Sequence, residues 1–185
     1  MSEYDASAIA QLMGLAFVQP SKRVSARSEP KSASKIGIVA AVGVGFVELA
    51  ASGRRGMEIA PSPVHIGLAI EAGLPRNSLK HVAEAIAGDD PAKVSALEWD
   101  IVPKTTLERR KGLKLTLEES ERTERVARLF VHARRALGSE CEAREFMTAP
   151  HPELDRRTPF DIAKTDLGAR RVERLLNALE YGLAV

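Results

Sequence analysis

The spacing of apolar residues predicts helices over most of the chain after residue 63. Within residues 76–87, apolar side chains recur every three or four positions, which places them on one face of a helix. The same spacing continues after Thr116 (Val126, Leu129, Phe130, Ala133, Leu137) and over residues 169–181 (Val172, Leu175, Leu176, Leu179). Runs of β-branched residues are few outside residues 36–47, and Ala, Leu, Glu and Arg dominate the composition, so we expect an all-α fold.

Residues that begin and end helices support this pattern. Thr116 and Ser139 are each followed three positions later by a glutamate, the capping-box spacing that begins a helix. Asp90 and Thr158 each precede a proline, which is favoured in the first turn. Glycines that are favoured after a last helical turn stand at the predicted ends: Gly73, Gly88, Gly138 and Gly182. The predicted helices therefore have defined ends.

The region before residue 63 has a different character. Residues 8–18 are apolar and predict a short helix, whereas residues 19–35 are rich in serine, proline and charge and predict a flexible linker. Residues 36–51 are apolar and indicate a buried helix or a strand followed by a helix. Their glycines lack the spacing of a dinucleotide loop. We therefore divide the chain into an N-terminal arm and linker (1–62), a central unit (63–112) and a C-terminal unit (113–185).

Composition limits the candidate chemistry. The chain has 185 residues and a net charge of only +2, so any contact with nucleic acid must come from a local basic patch. Its one cysteine and four widely separated histidines predict neither a disulfide framework nor a metal site. Paired carboxylates and nucleophile–base sets do not stand out. We expect no cofactor and no enzymatic activity.

The stretch VPKTTLERRKG, residues 102–112, is the strongest local basic feature. Two short helices joined by a tight turn, the second beginning after Pro103, are typical of a helix-turn-helix, in which the second helix enters the major groove of DNA. In that interpretation Leu107 faces the core. The residues that face bases are Lys104, Thr105 and Thr106, and the residues that face phosphates are Arg109, Arg110 and Lys111.

An ordinary solvated helix end is the alternative interpretation of the same stretch. Cations near a helix C-terminus are favoured by the helix dipole without any ligand. Glu98 and Asp100 precede the turn, and they would repel phosphate if they faced it. Spacing alone leaves both interpretations open.

Four motifs occur along the chain in the same order as in antitoxins of the Xre/MbcA/ParS type, and the chain resembles these antitoxins, which pair with RES-domain toxins. They are GLPRNSLKHVAEAI (73–86), VPKTTLERRKG (102–112), LTLEESERTERVARLFVHARRALG (115–138) and RRTPFDIAKTDLGARRVERLLNALEYGLAV (156–185). The resemblance, over residues 63–185, implies an Xre-like helix-turn-helix unit followed by a helical toxin-binding domain. It also implies a RES-domain toxin as partner, one that consumes NAD or uses it for ADP-ribosylation.

The resemblance further implies which residues bind the toxin. The C-terminal region is expected to block the toxin's NAD pocket through Tyr181, Gly182, Leu183, Ala184 and Val185. Further contacts are expected from the face of the last helix and the stretch before it: Leu175, Leu179, Arg156, Arg157, Thr158 and Pro159. Gly182 releases the chain from the helix, so a short apolar tail could enter a cleft. The alternative interpretation of the C-terminal tail is that it merely frays.

The remaining expectations concern location and assembly. No secretory signal precedes the first basic residue, Lys22, and the longest apolar run is short for a membrane span, which favours a cytoplasmic protein without membrane attachment. We expect the chain to form a dimer, to bind operator DNA and to repress its own operon. The alternative function is a stand-alone DNA-binding transcription regulator whose C-terminal domain binds another partner.

Overall fold

A computed structural model describes residues 4–19, 39–41, 44–48, 57–58, 60–109 and 114–182. Of the predicted flexible linker over residues 19–35, only Gln19 is among these residues.

Helices account for most of the described residues, which confirms the predicted helical fold class. They are α1 (Ala6–Leu12), α2 (Pro63–Glu71), α3 (Arg76–Ala87), α4 (Pro91–Ile101), α5 (Lys104–Arg109), α6 (Leu117–Leu137), α7 (Glu140–Thr148), a 3-10 turn (Pro152–Leu154), α8 (Pro159–Ile162) and α9 (Asp166–Glu180). The capping residues predicted for α4, α6, α7 and α8 all occupy those positions.

Among the described residues, four short strands near the N-terminus accompany the helices, and the sequence interpretation did not include them as a sheet. They are β1 (Leu15–Gln19), β2 (Val39–Ala41), β3 (Val44–Glu48) and β4 (Met57–Glu58). They form one antiparallel sheet in the order β2-β3-β1-β4. Two strands therefore lie within the apolar run 36–51, for which a buried helix or a strand and helix had been expected.

The helix predicted over residues 8–18 is wrong in its second half, where the chain forms strand β1. Gly14 lies between helix and strand with φ at +66°, a conformation that suits glycine and interrupts an α-helix. A side chain at this position would also collide with the imidazole of His81 on α3. The turn therefore depends on a tertiary neighbour that is remote in sequence.

Helix α6 is the centre of the fold. Thr116 and Glu119 form the predicted reciprocal cap at its start, with the Glu119 carboxylate accepting from the Thr116 N–H at 2.8 Å. Helices α1, α2, α3, α4, α7 and α9 all pack against it. It buries more than one face, including Val126, Leu129 and Phe130, because neighbours surround it on several sides.

Helix α1 joins the same core and does not stand apart from it. Ile9 and Met13 are at most 1% exposed and belong to one cluster with the buried residues of α6 and α9. The Tyr4 hydroxyl donates to the Glu124 carboxylate on α6 at 2.9 Å. Part of the predicted N-terminal arm is thus core structure, while the predicted boundary between residues 112 and 113 lies outside the described residues.

The Gly-Leu-Pro turn after α2 connects the central helices to the start of α6. Gly73 has φ at +82°, and a Cβ there would lie 2.5 Å from the Leu115 carbonyl oxygen. The Leu115 N–H donates to the Leu74 carbonyl at 2.8 Å, and the Leu74 N–H donates to the Ser120 hydroxyl at 2.9 Å. Glycine is required here because two backbone segments lie in direct contact.

Candidate functional site

Helix α5 carries the residues predicted to contact DNA. The Pro103 carbonyl accepts hydrogen bonds from the N–H groups of Thr106 and Leu107, which form its first turn. Leu107 is 8% exposed and anchors the helix to the core, as predicted. Lys104 and Thr105 are exposed, and Thr106 is half-buried. The first turn therefore exposes the ammonium of Lys104 and the side chain of Thr105, whereas Thr106 is partly covered.

Lys104 lies between an aromatic ring and a carboxylate. Its ammonium is 4.6 Å from the centre of the Trp99 ring and 3.7 Å from a Glu108 carboxylate oxygen. Both the lysine and the glutamate are exposed, and such surface pairs contribute about 0–1 kcal/mol. An incoming anion could therefore displace Glu108 at little cost.

The two acidic residues before the turn have partners away from α5. Asp100 lies 3.6 Å from the Lys164 ammonium, between α8 and α9. Burial raises the pKa of Glu98, while Arg76 and Lys80 on α3 act in the opposite direction. The expected repulsion of phosphate by these two acids is thereby reduced.

The other predicted phosphate contacts cannot be placed on this surface. Arg109 is the last residue of α5, and Arg110 and Lys111 lie outside the described residues. Their contribution to a DNA-binding surface stays a prediction.

The loop between α7 and α8 contains a rare backbone conformation. Asp155 and Arg156 have φ at 57° and 58°, in the left-handed region that non-glycine residues seldom occupy. Arg171 on α9 stabilises the loop by donating to the Asp155 carboxylate at 2.5 Å and to the Glu153 carbonyl at 2.6 Å. The first of these bonds lowers the pKa of Asp155.

Arg156 and Arg157 are presented by this loop with exposed side chains. The Arg157 carbonyl accepts from the His151 N–H at 3.1 Å, which closes the loop at its base. Two adjacent cations are therefore held on a backbone that is fixed from both sides.

Three of the residues predicted to bind toxin have structural roles in the unbound chain. The Thr158 hydroxyl accepts from the Asp161 N–H at 3.0 Å and caps α8. Pro159 is buried in α8, and Leu175 is 5% exposed within the core. Pro159 and Leu175 are buried, so direct contact with a toxin is open to these two side chains only after rearrangement.

The last turn of α9 presents apolar surface. Leu179 is 41% exposed and Tyr181 is 57% exposed. Gly182 follows with φ at +62°, and the space where its Cβ would lie is open. The chain can therefore turn away from the helix axis at this point. Leu183, Ala184 and Val185 lie outside the described residues.

A charged cluster at the same helix end was missed by sequence reasoning. Glu180 accepts hydrogen bonds from the Arg135 guanidinium at 2.8 and 3.0 Å and lies 3.1 Å from the His132 imidazole. The Arg135 hydrogen bonds lower the pKa of Glu180. No sequence signal links these residues, because 45 positions separate Arg135 from Glu180.

In the described part of the chain, no group of three or more His, Cys, Asp or Glu side chains is placed to hold a metal ion. None of its helices combines the length and apolar character needed to cross a bilayer.

The C-terminal part of the chain is similar to a known protein family. Residues 132–182 match the family model described as the antitoxin Xre/MbcA/ParS C-terminal toxin-binding domain. The matched segment begins within α6 and runs through α7, α8 and α9 to Gly182. The match supports an antitoxin of this family with a toxin as its partner. No curated protein matches the chain.

Proposed function

We propose that this protein is an antitoxin that neutralises a RES-domain toxin by occluding the toxin's NAD pocket with its C-terminal region. The observation that carries the proposal is the match of residues 132–182 to a toxin-binding domain. The RES-domain partner and the NAD pocket come from the sequence resemblance. On this proposal the chain inhibits its partner by binding and performs no chemistry itself.

The exposed groups in the matched segment suit this role. Leu179 and Tyr181 offer apolar contact area at the end of α9, and Gly182 allows the chain to leave the helix. Arg156 and Arg157 are exposed on the preceding loop and could pair with acidic groups on the toxin. The apolar residues 183–185 would then enter the pocket.

The direct test is inhibition of a RES-domain protein encoded beside this chain's gene. Co-expression should restore growth, and the purified antitoxin should stop NAD consumption. A chain truncated after Tyr181 should inhibit at least about tenfold more weakly, since it lacks the segment that fills the pocket. Equal inhibition by the truncated chain would exclude pocket occlusion by the tail.

Two leucines on α9 provide a matched comparison for the helix surface. Leu179→Ala removes exposed apolar surface near the tail and should weaken toxin binding by about 1 kcal/mol or more. Leu167→Ala removes a 75% exposed leucine at the opposite end of the same helix and should leave binding unchanged. Equal effects of the two substitutions would contradict the proposed toxin-binding surface.

The same proposal includes repression of the operon by a dimer that binds operator DNA through α5. The supporting observation is the exposure of Lys104 and Thr105 on a helix whose Leu107 is anchored in the core. Trp99 is the only tryptophan in the chain and contacts Lys104, so its fluorescence should change when operator DNA binds.

Lys93 on α4 offers a matched control for Lys104. Both lysines are exposed and each pairs with a nearby carboxylate, Lys93 with Asp90 at 3.8 Å and Lys104 with Glu108 at 3.7 Å. Lys104→Ala should weaken promoter binding and reduce the preference for the promoter over unrelated DNA, whereas Lys93→Ala should not. Equal affinities would remove α5 from the DNA-binding surface. Promoter binding without toxin inhibition would favour the stand-alone regulator instead.

A further inference from the structure

Glu180 occupies a position that local electrostatics disfavours. It is the last residue of α9, where the helix dipole presents partial negative charge and a carboxylate is repelled. A cation is the residue type favoured there. The glutamate therefore depends on compensation from outside its own helix, and the neighbouring helix α6 supplies it.

Arg135 supplies that compensation in a two-point geometry. Its Nε donates to one Glu180 carboxylate oxygen at 2.8 Å, and its Nη2 donates to the other at 3.0 Å. The His132 Nε2 lies 3.1 Å from the second oxygen. Two parallel hydrogen bonds define a direction as well as a distance. This contact therefore orients the end of α9, which a simple charge–charge attraction would not do.

A second cross-helix pair lies two turns earlier. Arg128 on α6 contacts the carboxylate of Glu173 on α9. Arg128 and Arg135 are seven residues apart on α6, as are Glu173 and Glu180 on α9, so each pair of residues lies along one helix face. The two contacts therefore link α9 to α6 at two points, the second at the final residue of α9.

The C-terminal tail begins directly after this contact. The Tyr181 N–H donates to the Asn177 carbonyl at 3.0 Å, and Gly182 already departs from helical geometry. Helix ends normally fray, so without an anchor the last turn would open more often. The Arg135–Glu180 contact ties the last residue of that turn to α6.

We infer that Arg135, together with His132, is a positioning residue for toxin binding that holds Glu180 so that Leu179 and Tyr181 are presented in one direction. The inference rests on the proposed function. Ordering the helix end before binding reduces the entropy lost on association, and each immobilised side chain is worth about 0.5–1.5 kcal/mol. Loss of the contact should therefore weaken inhibition about 3- to 10-fold.

The test uses the full chain with Arg135→Ala, Arg135→Lys and the control Arg134→Ala. Arg134 is the adjacent residue and lines a different cleft, with His81 and Glu84. Hydrogen exchange should accelerate for the amides of Tyr181 and Gly182 in Arg135→Ala, while the amides of the α6 core keep their protection. Arg135→Lys keeps the charge but not the two-point bond and should give an intermediate rate. Arg134→Ala should match the wild type.

Inhibition of the neighbouring RES-domain protein is measured on the same variants and on the chain truncated after Tyr181. Weaker inhibition by both Arg135→Ala and the truncated chain supports the inference. Weaker inhibition by the truncated chain alone overturns it and leaves the proposed function intact. Unchanged inhibition by both Arg135→Ala and the truncated chain overturns the inference and the proposed function together. Unchanged exchange at Tyr181 and Gly182 in Arg135→Ala overturns the inference whatever the inhibition data show.

Discussion

Gly168 shows how one residue can decide the geometry of the candidate toxin-binding segment. It lies in the first turn of α9, where a Cβ would collide with the carbonyl oxygen of Ile162 and approach the Thr165 hydroxyl. Helices α8 and α9 can therefore join in so short a connection only because position 168 has no side chain.

Gly168→Ala should destabilise the protein by about 1–3 kcal/mol, because the added methyl group forces the α8–α9 connection apart. Gly67→Ala is the matched control, since nothing lies within 4 Å of a Cβ at that helical position. That substitution should stabilise by about 0.5–1 kcal/mol through reduced freedom of the unfolded chain. Urea unfolding measures the free energy of unfolding of both variants. Changes of the same sign in the two variants would refute the steric role proposed for position 168.

His132 should make stability depend on pH. Burial lowers its pKa below the ordinary 6.5, an effect that the hydrogen bond to Glu180 opposes only partly. Between the folded pKa and 6.5 the unfolded chain binds more protons, so the free energy of unfolding decreases as pH falls through this window. The stabilising contribution of the neutral His132 to folding is fully present above pH 6.5. The difference in this free energy between wild type and His132→Gln, measured from pH 8 to 5, should shrink as pH falls; a constant difference would contradict the prediction.

At the scale of elements, the loop between α7 and α8 combines strain with exposure. Its two consecutive left-handed residues are held by Arg171 on one side and by the His151–Arg157 bridge on the other. Strained backbone that is stabilised from several directions is common at binding sites. Stability and toxin binding should therefore respond differently to substitution in this loop.

Arg156→Gly tests that separation. Glycine adopts the left-handed conformation without steric cost, so the substitution should raise stability by about 0.5–1 kcal/mol. Toxin binding should weaken at the same time, because an exposed cation is lost. Arg157→Gly is the control, as Arg157 has no positive φ and should lose stability. Thermal unfolding and toxin titration give the two readouts, and a stability loss in Arg156→Gly would contradict the strain argument.

At the scale of the whole molecule, one core connects the N-terminal helix with the candidate toxin-binding segment. Buried residues of α1, α3, α6 and α9 belong to a single cluster. The central and C-terminal units predicted from sequence share this core through α6, so we expect the described helices to unfold together.

Urea unfolding followed by Trp99 fluorescence on α4 should coincide with unfolding followed by helical circular dichroism. Ile9→Ala should shift both curves equally, by about 2–5 kcal/mol, because Ile9 is 1% exposed in the shared core. Ser7→Ala, at an exposed position of the same helix, should shift neither. Separate transitions for the two signals would indicate independent units.

The sequence predicted the elements better than their contacts. Helical spacing and caps located α3, α4, α6 and α9, because both signals act within a few residues. The strand β1 was missed because an apolar run such as residues 8–18 suits either structure, and its pairing partner lies in residues 44–48.

For the candidate site, motifs located the segment but not the role of each residue in it. Leu175 and Leu179 stand on the same helical face in sequence, yet one is buried and the other exposed, because the core ends between them. Pro159 and Thr158 belong to the motif, but they shape α8 instead of projecting outward. Burial depends on the packing of remote helices, which local periodicity cannot report.

The sequence by itself determined the helices, their caps and the C-terminal segment that matches a toxin-binding domain, since these depend on short-range patterns. Only the tertiary structure decided that α1 belongs to the core, that Arg171 holds the strained loop and that Arg135 holds Glu180. These contacts join residues 16 or more positions apart. Their energies exist only after the chain has folded, so no local spacing encodes them.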